Sequence, residues 1–237
     1  MLYFLYQFSY ILLIPAFIFS MWAQINVSST FDRANRNRVG ISGAAAARRI
    51  LDANGLSHIR IERVRGHLTD HYDPRAKVIR LSESVYDNNT SAAVGVAAHE
   101  AGHAVQYAKG YKPVRIRTAI IPVCSFGANA AMPLFIIGLV MSSYSYESNA
   151  GYALMMTGIL FFALATLFQA VTLPVEFNAS RRAIVALEQS GEMSVAEIGE
   201  SRKVLKAAAL TYVAALATSL LSLLRLLLIA SGGRRRD

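Results

Sequence analysis

Four apolar stretches of membrane-spanning length constrain this chain more than any other feature. They run from Leu2 to Ala23, Ala119 to Met141, Tyr152 to Leu173 and Ala207 to Ala230. A helix needs about 20 residues to cross a bilayer. Hydrocarbon offers the backbone no hydrogen bonds, so each stretch is expected to be helical. Composition agrees, with 54% of the 237 residues hydrophobic and 16% charged. Ordinary soluble domains are about a quarter charged. The expected fold is therefore mainly α, a multi-pass helical membrane protein. The first stretch lacks a basic leader and is flanked by aromatics, which favours a retained anchor over a cleaved signal peptide. Pro122 and Pro133 are expected kinks in the second.

These stretches divide the chain. Residues 1–24 form an N-terminal anchor, 25–117 a large polar region, and 118–173 two membrane helices. Residues 174–206 form a helical loop, and 207–237 a last membrane helix with a basic tail. Fifteen Lys and Arg lie between residues 24 and 117, five lie between 174 and 206, and none lies in the loop 142–151. The positive-inside tendency puts both basic regions in the cytoplasm. Arg234, Arg235 and Arg236 argue the other way, since four crossings would put them outside. Arg225 lies near a helix end, from which it can snorkel. The net charge of +9 is read as cytoplasmic loops or anionic-lipid contact, not nucleic acid, because the basic residues are dispersed and no recognition motif accompanies them. One cysteine, Cys124, excludes an intramolecular disulfide framework and is read as a small buried hydrophobe.

The large region has its own pattern. "SGAAAARRILDANGL" reads as a helix capped by Ser42 and stopped by Gly55. "HIRIERV", His58 to Val64, and "KVIRLSESV", Lys77 to Val85, alternate as half-buried strands do. Between them "RGHLTDHYDPR" carries turn chemistry. "YDNNTS" offers Asn89, Thr90 or Ser91 as the cap of a further helix that should run to about Ala108 and stop near Gly110.

That helix holds "AAHEAGHAVQ". Residues four apart share a helix face, roughly 6 Å apart along the axis, so His99 and His103 can present imidazole nitrogens to one metal ion. Glu100 is rotated about 100° away, placed to accept a proton from a water at the metal rather than to ligate. The bland alternative is two helix histidines hydrogen-bonded locally. Gly102 would allow a strand or substrate to approach closely. A catalytic zinc needs a third protein ligand and an open position. His58, His67 and His71 remain, and Glu176 in "LPVEFNASRRAIVAL" is the best placed carboxylate. It follows the third apolar stretch on the same side as His99 and His103, where an unpaired charge would be costly. Glu176 could instead be an acid at a helix N-terminus, favoured by the macrodipole. Asp70, His71 and Asp73 could bind a second metal, though shaping a turn is the simpler reading. His58 and His67 read as surface or strand residues, and the tyrosines of "SSYSYE" suit a membrane interface.

"GHLTDHYDPRAKVIRLSESVY", "AAHEAGHAVQ" and "EFNASRRA", with their flanking membrane segments, resemble the YugP-type neutral zinc metallopeptidases of bacterial membranes. More distantly they are similar to the HtpX and CAAX-prenyl-protease group. The resemblance implies a small α+β zincin-like (gluzincin) catalytic domain holding one zinc ion. His99, His103 and Glu176 would be ligands and Glu100 the general base. Ser180 stands where the distant group has an aspartate, so a weaker partner must orient the histidine. Peptide hydrolysis also needs an oxyanion donor, for which Arg181, Arg182, His71 and Tyr107 are candidates. Arg181 and Arg182 could equally form a solvated or lipid-headgroup face. "KVIRLSESV" is the candidate edge strand for an extended substrate, or else an ordinary core strand. The implied protein is a metalloendopeptidase of the bacterial cytoplasmic membrane. Its partners would be the bilayer and a peptide or membrane-protein substrate, with no nucleic acid. A non-catalytic zinc-binding protein, a sensor or pseudo-protease, is the alternative. A metal transporter ranks last, since the spans offer only Asn129, Gln169 and scattered Ser or Thr, with no His or acid.

Overall fold

The computed structural model describes residues 10–67, 69–144 and 149–232. The start of the first apolar stretch, the tyrosine at 146 and the basic tail at 234–236 lie outside them. The chain is mainly helical, with one small sheet. Its elements are α1 (Leu13–Ala34), α2 (Gly43–Ala53), β1 (Arg60–Val64), β2 (His71–Asp73), β3 (Val78–Ser82), α3 (Glu83–Tyr86), α4 (Ser91–Ala108), α5 (Lys112–Tyr144), α6 (Asn149–Ser190) and α7 (Val195–Gly232). Among the described residues three helices, α5, α6 and α7, are long and apolar enough to cross a membrane. They carry the second, third and fourth apolar stretches.

The chain forms two compact units. The first comprises residues 1–22, 116–172 and 212–237. Here α5 and α6 meet through glycine. A Cβ at Gly158 would lie 2.7 Å from the Ala131 carbonyl oxygen, and one at Gly138 would lie 2.4 Å from the Met155 nitrogen. Small residues of this kind let membrane helices pack backbone to backbone. Phe135, Met155, Ile159, Leu226 and Ala230 form the unit's buried cluster. Pro122 and Pro133 both lie inside the continuous α5.

The second unit comprises residues 23–115 and 173–211. Its sheet has the order β1-β3-β2, with β1 parallel and β2 antiparallel to β3. Two expectations change here. The segment read as a turn contains the strand β2, and "KVIRLSESV" is a strand only to Ser82, then a short helix. β3 is also the central strand, with both edges paired, so it cannot accept an added peptide. Ile61, Ile79 and Tyr72 share the face that packs on the helical core. On the opposite face Arg80 bonds Asp73 at 3.0 Å and approaches Glu62 at 3.6 Å. Asp70 accepts from the Ser82 backbone nitrogen at 2.7 Å and from its hydroxyl. Asp73 accepts from the backbone nitrogens of Arg75 and Ala76. Asp73 therefore shapes a turn, as the simpler reading held, whereas Asp70 ties its segment to the end of β3, twelve residues on.

Helix α2 starts at its Ser42 cap, which accepts from the Ala45 nitrogen, and Gly55 beyond its end has φ +71°. Helix α4 starts at Thr90, which accepts from the Ala93 nitrogen at 3.2 Å. It stops before Gly110, where φ is +65°. Its alanines are explained by burial on every side. Ala93, Ala97, Ala98, Ala101 and Ala104 are all 0% exposed. Helix α2 packs along α4. The C-terminal part of α6 reaches it at Gly102, where a Cβ would lie 2.6 Å from the Ala179 carbonyl oxygen. Only glycine allows that approach, and what approaches is a helix rather than a strand or substrate. Helix α6 itself runs on through Pro174 to Ser190. Glu176 is thus interior to a long helix, and the macrodipole reading, which needs a helix N-terminus, does not hold.

Candidate active site

Helices α4 and α6 cross at the Gly102–Ala179 contact, and the polar side chains on both sides of it converge. His99, His103 and Glu176 each offer one ligand atom, and these atoms lie within 4.8 Å of one another. The Glu176 Oε2 is 3.2 Å from His99 Nε2 and 3.6 Å from His103 Nε2. A tetrahedral zinc with bonds of about 2.0–2.1 Å holds its ligand atoms roughly 3.3 Å apart. The two Glu176 separations lie close to that spacing, so the donor set fits such an ion.

The imidazoles are oriented from behind. Gln106, fully buried, donates from Nε2 to the Val175 carbonyl at 2.8 Å and to Asn178 Oδ1 at 3.0 Å. Its Oε1 lies 3.0 Å from His103 Nδ1 and has only lone pairs to offer. His103 therefore carries a proton on Nδ1, which leaves Nε2 to donate to Glu176 when the ring is protonated and to offer a metal its lone pair when the ring is neutral. His99 Nδ1 lies 3.1 Å from the Ser180 hydroxyl. Ser180 is thus the histidine's partner at the position where the distant group has a carboxylate. Burial acts most strongly on the His103 ring and lowers its pKa. The hydrogen bond to Glu176, the fields of Glu100 and Glu176, and the Gln106 contact outweigh it, so the net shift is upward.

Glu100 is 9% exposed and makes no hydrogen bond to any described residue. Its field reaches His103.

The remaining sequence candidates separate. Arg182 donates from Nε to Asn178 Oδ1 at 2.8 Å and so belongs to the chain Arg182–Asn178–Gln106–His103. Arg181, one residue earlier, projects about 100° away and is exposed. His71 lies on the sheet face turned from the helical core, with Nδ1 2.9 Å from the Thr69 carbonyl and Nε2 3.3 Å from Arg80. Tyr107 follows His103 by one helical turn, and its ring meets Tyr72 edge-on at 5.6 Å. His58 is exposed and the His67 ring packs on Phe31, so neither joins the cluster. Gln106 and Asn178 were missed in the sequence. Their only signal is an amide three residues after His103 and another two after Glu176, each inside a largely apolar run.

The family described as "Putative neutral zinc metallopeptidase" matches residues 9–231. The "Putative membrane protease YugP" of Bacillus subtilis (strain 168) is 44% identical over 225 residues, covering 94% of this chain and 96% of the relative. No solved structure matches the chain.

Proposed function

We infer that this chain, which belongs to the "Putative neutral zinc metallopeptidase" family, hydrolyses peptide bonds at a single zinc ion held by His99, His103 and Glu176. One observation carries the reading. Three ligand atoms converge on α4 and α6, and the buried Glu100 beside them has no hydrogen-bond partner among the described residues. When bound, zinc supplies the Lewis acidity that makes water a nucleophile near neutral pH. Glu100 takes the proton from the attacking water and returns it to the leaving amine nitrogen. Gln106 and Ser180 hold the two imidazoles in the tautomer and orientation that ligation requires. We assign Tyr107, one helical turn beyond the ligand His103 on the same helix, to the tetrahedral oxyanion.

The three-stranded sheet with α4 is read as a zincin-like core. An extended peptide would add to the edge strand β2, whose Tyr72 touches Tyr107 of the same helix. The Lys and Arg distribution of the two basic regions supports a catalytic region on the cytoplasmic face of the bacterial membrane. The non-catalytic alternative assigns no role to Glu100, which directly follows the ligand His99 on α4.

The test compares metal content and turnover of internally quenched peptides for the wild type, Glu176→Ala and Glu100→Gln, all purified in one detergent. About one zinc per chain is expected in the wild type and in Glu100→Gln, with marked loss in Glu176→Ala. Glu100→Gln should lose about 10²-fold or more in rate. Full turnover in Glu100→Gln would overturn the mechanism. Unchanged zinc in Glu176→Ala would overturn the ligand set.

A further inference from the structure

A groove of about 320 Å³ opens on the second unit between α6 and α7. One wall is a single face of α6, with Phe177, Ser180, Arg181, Ile184 and Val185 at helical spacing. The facing wall of α7 carries Arg202, Leu205, Lys206 and Ala209, again one helix face. The surface combines two features that soluble proteins keep apart. Phe177 and Val185 are 48% and 42% exposed, so the walls offer apolar area to whatever fills them. Arg181 and Lys206 sit among these apolar residues, and neither makes an ion pair or hydrogen bond with a described residue. At the end away from the apolar stretches Glu188 pairs with Arg202 and neutralises it.

The groove also has a fixed place along both helices. Phe177 follows the apolar stretch that ends at Leu173, and Ala209 lies at the start of the stretch that begins at Ala207. The two walls therefore belong to the helical segments where membrane-length apolar sequence gives way to polar sequence. That is the depth of lipid headgroups. Nor is the groove the approach to the metal ligands. Ser180 lines it and contacts His99 at Nδ1, whereas the Nε2 of the same ring faces Glu176. The groove lies behind the histidine.

We propose that this groove binds one anionic phospholipid, its phosphate between Arg181 and Lys206 and its acyl chain along Phe177, Val185 and Leu205. A zwitterionic lipid would match the apolar walls but bring its own ammonium against the two basic side chains. An anionic lipid satisfies both features. The site needs neither zinc nor peptidase activity, so its test is independent of the catalytic reading.

The experiment is native mass spectrometry of the full chain in detergent, titrated in parallel with phosphatidylglycerol and phosphatidylcholine of matched chains. The wild type and Arg181→Ala/Lys206→Ala are compared, both substitutions being at exposed positions. Each basic group near an anionic headgroup is worth about fivefold in affinity, so the double variant should lose roughly 25-fold for phosphatidylglycerol and keep its affinity for phosphatidylcholine. Val185→Asp, at an exposed wall position, should weaken both lipids. Equal retention of the two lipids by the wild type would overturn the proposal. So would an unchanged preference in the double variant. Displacement of bound lipid by glycerol phosphate at equal concentration would overturn it too, since the apolar walls would then contribute nothing.

Discussion

The Oε1 of Gln106 sits 3.0 Å from Nδ1 of His103, and this one contact sets which nitrogen of the ring faces Glu176. The amide cannot turn over, because its nitrogen is committed to the Val175 carbonyl and to Asn178. Both of those partners lie on α6, as Glu176 does. The same three residues thus tie the histidine's tautomer to the position of the third ligand.

Gln106→Leu removes that control while keeping a side chain of similar size. Zinc affinity should fall about 10- to 100-fold, the usual effect of losing a residue that orients a metal ligand. Chelator competition measures it. Ser180→Ala should act on His99 in the same direction. An unchanged affinity in Gln106→Leu would mean that His103 is held by something other than the amide.

Gly102→Ala tests the helix crossing. The added methyl would stand 2.6 Å from the Ala179 carbonyl oxygen, a backbone atom that cannot swing aside. Overpacking of this kind costs about 1–3 kcal/mol. The helices must part, and His99 and His103 would move from Glu176. A lower melting temperature and weaker zinc binding should appear together. Gly40→Ala, where a Cβ meets nothing within 4 Å, is the control and should change neither.

Much of this site was legible in the sequence because its signals are local. Thr90, the alanine run and Gly110 delimit α4, and the four-residue spacing puts His99 and His103 on one face. Glu176 stood out because an acid beside an apolar stretch needs a partner. What could not be read depends on pairing across the fold. β2 has three residues inside a Gly-, Asp- and Pro-containing segment, and only its ladder with β3 makes it a strand. Pro174 reads as a boundary, yet α6 continues through it, since Val175, Ala179 and Ala183 are each 0% exposed and anchor the next turns. Arg181 and Arg182 look alike in sequence. Their rotation about α6 sends one to the groove and the other to Asn178.

Tyr107→Phe tests the oxyanion assignment. The ring contact with Tyr72 survives the change, so peptide binding at β2 should be little affected. Loss of one donor to the developing negative charge should lower kcat about 10²-fold with KM nearly constant. Steady-state kinetics on a quenched peptide separates the two. A change confined to KM would move Tyr107 from the oxyanion to the peptide-binding edge.

The orientation across the membrane is open to labelling, because the native Cys124 is buried. Asp87→Cys introduces an exposed thiol just before the loop that caps α4. If the basic regions face the cytoplasm, a membrane-impermeant maleimide should label it only after the membrane is permeabilised. Labelling in intact cells would reverse the topology.

The raised pKa of His103 makes the pH response of the metal-free protein opposite to that of the zinc-loaded one. In the metal-free chain the protonated ring is stabilised by Glu176 and Glu100 against its burial. A pKa raised on folding contributes stability that is fully present below the unfolded value of about 6.5 and is lost as pH rises through the folded value. The chelated protein should therefore melt higher near pH 6 than near pH 8. Zinc requires the neutral ring, so its binding weakens as pH falls through the same raised value, and the loaded protein should melt lower near pH 6. Thermal melts at both pH values, with and without zinc, should cross. Glu176→Gln removes the largest of the influences that raise the ring's pKa, leaving Glu100 and Gln106, and should shrink the acid-side gain of the chelated protein. If the gain is undiminished in that variant, the stabilised proton resides on a group other than His103.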